Sequence, residues 1–117
     1  MPYVDGFVLP VPKKNVPAYR RMAQKAGKIW KEHGALEFRE CMGDDLKVKM
    51  GVSFLRGARA RPTETVFFSY IVYRSKAHRD RVNAKVMKDP RIKMGAKAMP
   101  FDFRRMMYGG FRVLVDL

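Results

Sequence analysis

The stretch Glu64–Tyr73, ETVFFSYIVY, decides the reading of this chain. It is β-branched and aromatic almost throughout, the composition of a strand. With period two, Val66, Phe68, Tyr70 and Val72 share one face, and Phe67, Ile71 and Tyr73 share the other. A strand with one wet face alternates apolar and polar residues. Here both faces are apolar, so both need a cover. The closing stretch 104–117, RRMMYGGFRVLVDL, repeats the problem: Met107, Gly109, Phe111, Val113 and Val115 lie on one side, and Met106, Tyr108, Gly110, Arg112 and Leu114 on the other. A chain of 117 residues is too short to wrap a sheet from two sides.

The flanking segments give the sheet its helices. Tyr3–Leu9 reads as a first strand, stopped by Pro10 and Pro12. Asn15 then caps a helix with Pro17 in its first turn and Gly34 just past its end. Its apolar stripe is Tyr19, Met22, Ala23, Ala26, Ile29, Trp30 and His33, with Arg20, Arg21, Lys25, Lys28 and Lys31 outside it. The segment ALEFREC (35–41) predicts a second strand. A basic, glycine-containing connection fills 43–63, with a short strand expected near Val52–Leu55. After Glu64–Tyr73, Ser75 caps a second helix whose inner stripe is Val82, Val86 and Met87, ending at Asp89-Pro90. A loop, IKMGAKAMPFDF (92–103), leads to the closing strand. The order βαββαβ is that of a ferredoxin-like α+β fold, one domain spanning 1–117, with both helices on one face of an antiparallel sheet.

Helices on one side leave the other side bare. Three or four uncovered large side chains forgo on the order of 5–10 kcal/mol at about 1.5–3 kcal/mol each. Such a patch marks an interaction surface. A second copy packed sheet to sheet is the favoured cover, giving a homodimer. RNA stacking on the aromatics is the alternative, but the third strand lacks the glycine-aromatic signature of RNA-recognition domains.

Composition bounds the rest. Lys and Arg number 25 against 11 Asp and Glu, a formal charge of +14. That balance suits polyanionic partners, yet the cations are spread along the chain and read first as a solvated surface. The sharpest local nucleic-acid footprint is LRGARARP, with Arg56, Arg59 and Arg61 as the contacts. Cys41 is the only cysteine, so no internal disulfide and no cysteine-built zinc site is expected. No apolar run reaches membrane-spanning length, and MPYVDGFVLP is not a secretory leader, which together predict a cytoplasmic protein without membrane insertion.

No established catalytic motif is present, which leaves the polar residues that interrupt apolar faces. Asp5 lies between Tyr3 and Phe7, where with Gly6 it reads more readily as a bulge than as a base. Ser69, Tyr70 and Tyr108 carry hydroxyls on strands, and His33 and His78 sit on the two helices. Asp5, His33, Tyr70, His78 and Tyr108 are thus the candidate lining of a pocket between sheet and helices. These residues name no cofactor and fix no reaction.

The words YVDGFVLPVP, EHGALEFRECMGDD, HRDRVNAKVMKDPR and MPFDFRRMMYGGF closely resemble the YbaA-like family, bacterial proteins classed as a domain of unknown function. The resemblance runs from Tyr3 to the C-terminus. It implies membership of the dimeric α/β-barrel proteins, whose ferredoxin-like protomers pair sheet to sheet. It brings no assigned catalytic residue. The wider group includes cofactor-free monooxygenases, haem-degrading enzymes and small-molecule binders that use the space between sheet and helices. The haem-degrading pattern carries over poorly. It wants Asn on the first strand and Trp on a later one, where this chain has Asp5 and a helical Trp30; only His78 is roughly placed. The implied function is binding or transformation of a small molecule, with a nucleic-acid-binding module as the alternative.

Overall fold

The computed structural model describes residues 1–92 and 99–117. β1 (Tyr3–Pro12) runs three residues beyond the expected stop, through Pro10 and Pro12. The ladder explains why both prolines are tolerated. Odd-numbered residues of β1 face β3, as Lys13 N donating to Thr63 O (2.9 Å) shows just beyond the strand. Even-numbered ones face β4, which has no partner opposite β1 past Val8. Pro10 and Pro12 therefore present their missing N–H to an edge with no strand partner among the described residues. The ladder also runs unbroken through Asp5 and Gly6, so the expected bulge does not form.

α1 (Val16–Glu32) follows, then β2 (Glu37–Met42), the short helix α2 (Phe54–Gly57), β3 (Glu64–Tyr73), α3 (Lys76–Lys88) and β4 (Met107–Arg112). Asn15 caps α1 by position only; its side chain instead donates to Pro100 O (2.9 Å). Gly34 takes φ +116°, the left-handed turn after the helix. The strand expected near Val52–Leu55 is α2, because Ser53 Oγ accepts from Arg56 N (3.2 Å) and caps a helical turn. Part of the 92–103 loop lies outside the described residues.

The sheet order is β2-β3-β1-β4, all antiparallel, the ferredoxin-like arrangement. In register, Tyr3, Asp5, Phe7, Leu9 and Val11 of β1 share a face with Phe67, Ser69, Ile71 and Tyr73 of β3. α1 and α3 cover this face in two clusters. One joins Tyr3, Ile71 and Tyr73 to Ile29, Val82 and Val86; the other joins Leu9, Val11 and Phe67 to Tyr19 and Ala23. Phe7 packs against both.

The opposite face carries Val4, Val8, Phe68, Tyr70, Val72, Met107 and Phe111. The connection after β2 folds over one end of it, with Gly43 N donating to Val66 O (2.8 Å) and the Phe54 ring of α2 against Phe68 (6.3 Å). The rest is open: Phe68, Met107 and Phe111 are 45, 47 and 62 % exposed.

Candidate functional site

Between sheet and helices lies a cavity of about 440 Å³. Its floor is Phe7, Leu9, Ser69 and Ile71; α1 supplies Tyr19, Met22, Ala26 and Trp30, and α3 supplies Arg79, Asn83 and Met87. The size and the mostly apolar lining, with a few polar groups converging, are those of a small-molecule site.

Asp5 is one of those polar groups. It is buried on the helix-facing side of β1, opposite Ile71. Arg79 brings Nη1 to 3.6 Å from its Oδ1. The same guanidinium lies 5.0 Å over the Tyr3 ring and donates from Nη2 to Tyr3 OH (3.2 Å). Tyr3 reaches this position because β4 has Gly110 beside it; a Cβ there would stand 2.7 Å from Tyr3 Cε2. Behind Asp5, Asn83 Oδ1 accepts from both Trp30 Nε1 (3.1 Å) and Tyr73 OH (3.2 Å), locking α3 to α1 and β3. Burial raises the Asp5 pKa, opposed by the Arg79 charge and by hydrogen bonds from Asn83 and Tyr73. The result is a carboxyl that binds a proton more firmly than a free aspartate does. It is suited to accept one from a ligand.

A second acid, Glu40 of β2, lines the same cavity. Tyr19 OH donates to its Oε1 at 2.7 Å. Its pKa is also raised, by burial first, with Tyr19 and Ser69 hydrogen bonds opposing. No ion pair to Glu40 forms among the described residues.

The residues singled out from sequence divide. Asp5 and Tyr108 meet at the cavity, Tyr108 as an exposed rim residue stacked on Phe7 (5.9 Å, 14° between planes). Tyr70 borders it only from the far side of the strand: it pairs with Gly6 and its ring lies 6.1 Å from Phe68 on the open face. Odd and even residues of β3 face opposite ways, which separates Tyr70 from Asp5. His33 lies outside, at the end of α1, where Nε2 contacts Asp89 Oδ2 (2.8 Å) beside the Glu32–Arg91 pair. His78 is also outside and is structural: Nδ1 accepts from Arg74 N (3.0 Å), and the buried ring stands edge-on to Tyr73. Glu40, Arg79, Asn83 and Trp30 were not singled out as site residues. Arg79 and Asn83 were detectable in principle, being polar positions three residues before Val82 and Val86 respectively on the inner stripe of α3.

Arg56, Arg59 and Arg61 are all exposed. Arg56 belongs to α2 on the open-face side, whereas Arg20, Lys25 and Lys28 project from α1 on the opposite side. Arg59 and Arg61 flank a buried ion pair, Arg105 Nη2 to Glu64 Oε2 at 2.6 Å: Arg59 O accepts from Arg105, and Arg61 N donates to Glu64. The cations thus fall on two sides of the molecule. Among the described residues no three His, Cys, Asp or Glu side chains cluster as a metal site, and no helix is long and apolar enough to cross a membrane.

Residues 2–103 match the family described as "Protein of unknown function (DUF1428)". The "Uncharacterized protein YbaA" of Escherichia coli K12 is 47 % identical over 116 residues, covering 99 % of each chain. The chain belongs to this family. The YbaA of Shigella flexneri matches to the same extent. Solved structures extend the likeness of this YbaA-like chain in fold alone. A dimeric ferredoxin-like protein from an uncultured marine organism superposes with TM-score 0.58 at 11 % identity, covering 100 % of both chains. An uncharacterized NIPSNAP domain protein from Burkholderia xenovorans gives 0.55 at 16 %, covering 95 % of this chain and 93 % of that one.

Proposed function

We propose that this protein binds a small, largely apolar molecule in the cavity between sheet and helices, with Asp5 as the group that reads its polar end. The observation that carries this is a buried carboxyl of raised proton affinity in the wall of an otherwise apolar cavity of about 440 Å³. A hydroxyl or another weakly acidic group on the ligand can donate to Asp5 while Arg79 balances the charge that develops there. We further infer that the working form is a homodimer through the open sheet faces, since Phe68, Met107 and Phe111 have no cover in one copy. The dimeric ferredoxin-like protein of similar fold supports that reading.

Trp30 makes the ligand reading testable, because it lines the cavity and is the only tryptophan. N-phenyl-1-naphthylamine, neutral and apolar, is expected to brighten on binding and to quench Trp30 by energy transfer. Ala26→Phe fills the cavity from α1 and is expected to abolish both signals. A probe that fails to bind, or that binds the Ala26→Phe variant equally well, would remove the proposal.

A further inference from the structure

A second concavity lies outside the cavity, between α1 and the edge strand β2, with a volume of about 710 Å³. Ala23, Phe38 and Phe67 make its floor, and Arg20, Lys28 and Lys31 line it with positive charge. Of its two acids, Glu32 is held by Arg91 at 2.7 Å and Glu40 accepts from Tyr19 OH at 2.7 Å. Among the described residues β2 pairs only with β3, which leaves its outer backbone edge open.

At the other edge of the sheet the chain leaves β4. Val113 N still donates to Pro2 O (3.1 Å). Beyond it Leu114 and Val115 are 89 and 71 % exposed, Leu117 is fully so, and Asp116 is the one charge of the segment. The groove and this segment match in chemistry: an apolar floor with a cationic rim, and an apolar strand with one acid. They lie at opposite edges of a four-stranded sheet, so the match is between copies, not within one.

We propose that Val113–Leu117 of one copy seats in the α1–β2 groove of a second copy, with its apolar side chains on the floor and Asp116 at Lys28 and Lys31. This rests on the face-to-face dimer reading and deepens it. Packed sheet faces stand about 10 Å apart, and a two-fold axis parallel to the strands lays β4 of one sheet over β2 of the other. Five extended residues reach roughly 17 Å, enough to pass round that edge. The groove shares Tyr19, Phe38 and Glu40 with the ligand cavity, so the partner's tail forms an outer wall of the binding site.

The test is sedimentation of the full-length protein, with circular dichroism to check that each variant folds. Leu114→Asp is expected to weaken self-association by about tenfold or more. Asp116→Lys, and separately Lys28→Glu with Lys31→Glu, should each weaken it by about fivefold. All three charge changes in one chain should restore it. A synthetic peptide of residues 111–117 in excess should displace the dimer. Full-strength dimers of Leu114→Asp and Asp116→Lys would overturn the tail docking while leaving the dimer itself standing. Weakened single variants without restoration would overturn the groove as the tail's seat. A monomeric wild type at micromolar concentration would overturn tail and dimer together.

Discussion

The His78 ring is anchored by the backbone of the turn before α3. Its Nδ1 accepts from Arg74 N, and its own N–H donates to Ser75 Oγ, the cap of α3. A ring nitrogen accepting from a main-chain N–H carries no proton, so the neutral ring bears its proton on Nε2. Burial, followed by the charges of Arg74 and Arg81, holds the pKa below the usual histidine value. The folded protein therefore binds this proton more weakly than the unfolded chain. Stability from this site is complete above the unfolded pKa and is lost as pH falls through it toward the lower folded value. The urea midpoint of the wild type is expected to drop between about pH 7.5 and 5.5. His78→Asn, which keeps an acceptor for Arg74 N, should flatten that drop; an unchanged pH dependence would mean the proton is taken up elsewhere. From sequence a lone histidine in the first turn of α3 reads as exposed or hydrogen-bonded before it reads as a pocket residue, and the bond from Arg74 N makes it the hydrogen-bonded one. Asp5 reads more readily as a bulge with Gly6, which the unbroken β1–β3 register rules out; only the fold shows that Arg79 pairs with it beside a cavity.

Helix α1 and strand β2 meet through Gly27, whose missing Cβ accommodates the Phe38 ring; a methyl there would stand 2.6 and 2.8 Å from ring carbons Cδ1 and Cε1. Two effects of Gly27→Ala oppose each other. Helix propensity favours alanine by about 1 kcal/mol. Overpacking against the Phe38 ring costs about 1–3 kcal/mol. The clash wins, so denaturant unfolding should show Gly27→Ala net destabilised, whereas in a Phe38→Ala background the same change should stabilise. Equal effects in both backgrounds would show that Phe38 is not the obstacle. At this scale the sequence was most informative. β-branched and aromatic composition located β3, apolar on both faces, and the three-four stripe located α1, because that pattern follows from burial on one face. Where local bonding competes with pattern, the reading failed. Val52–Leu55 looks β-prone, yet Ser53 Oγ bonding Arg56 N turns it into α2. Pro10 and Pro12 look like breakers, yet their nitrogens meet an edge with no strand partner among the described residues. Tyr70 borders the cavity only from the opposite face of β3, because alternation along the strand turns its side chain to the open face.

Taken as a whole, the molecule has a formal charge of +14 and one open apolar sheet face, and these pull association in opposite directions. The face drives two copies together, since Phe68, Met107 and Phe111 stay wet otherwise. The charge resists, because two copies of formal charge +14 repel each other. That repulsion is screened within about 8 Å at physiological ionic strength and reaches much further at low salt. The dimer is therefore expected to tighten as salt rises from about 20 to 150 mM. Nucleic acid should behave inversely, binding weakly at low salt and releasing near physiological salt, because its affinity comes from counterion release. Phe111→Glu places a charge in the middle of the open face, where its ring now lies over Gly6 at 3.5 Å from the position of a Cβ. Sedimentation should show its dimer weakened by about thirtyfold or more. Lys25→Glu, on the outward side of α1, should leave association unchanged or slightly stronger by lowering net charge. A Phe111→Glu protein as dimeric as the wild type would mean that the open face is not where the copies meet.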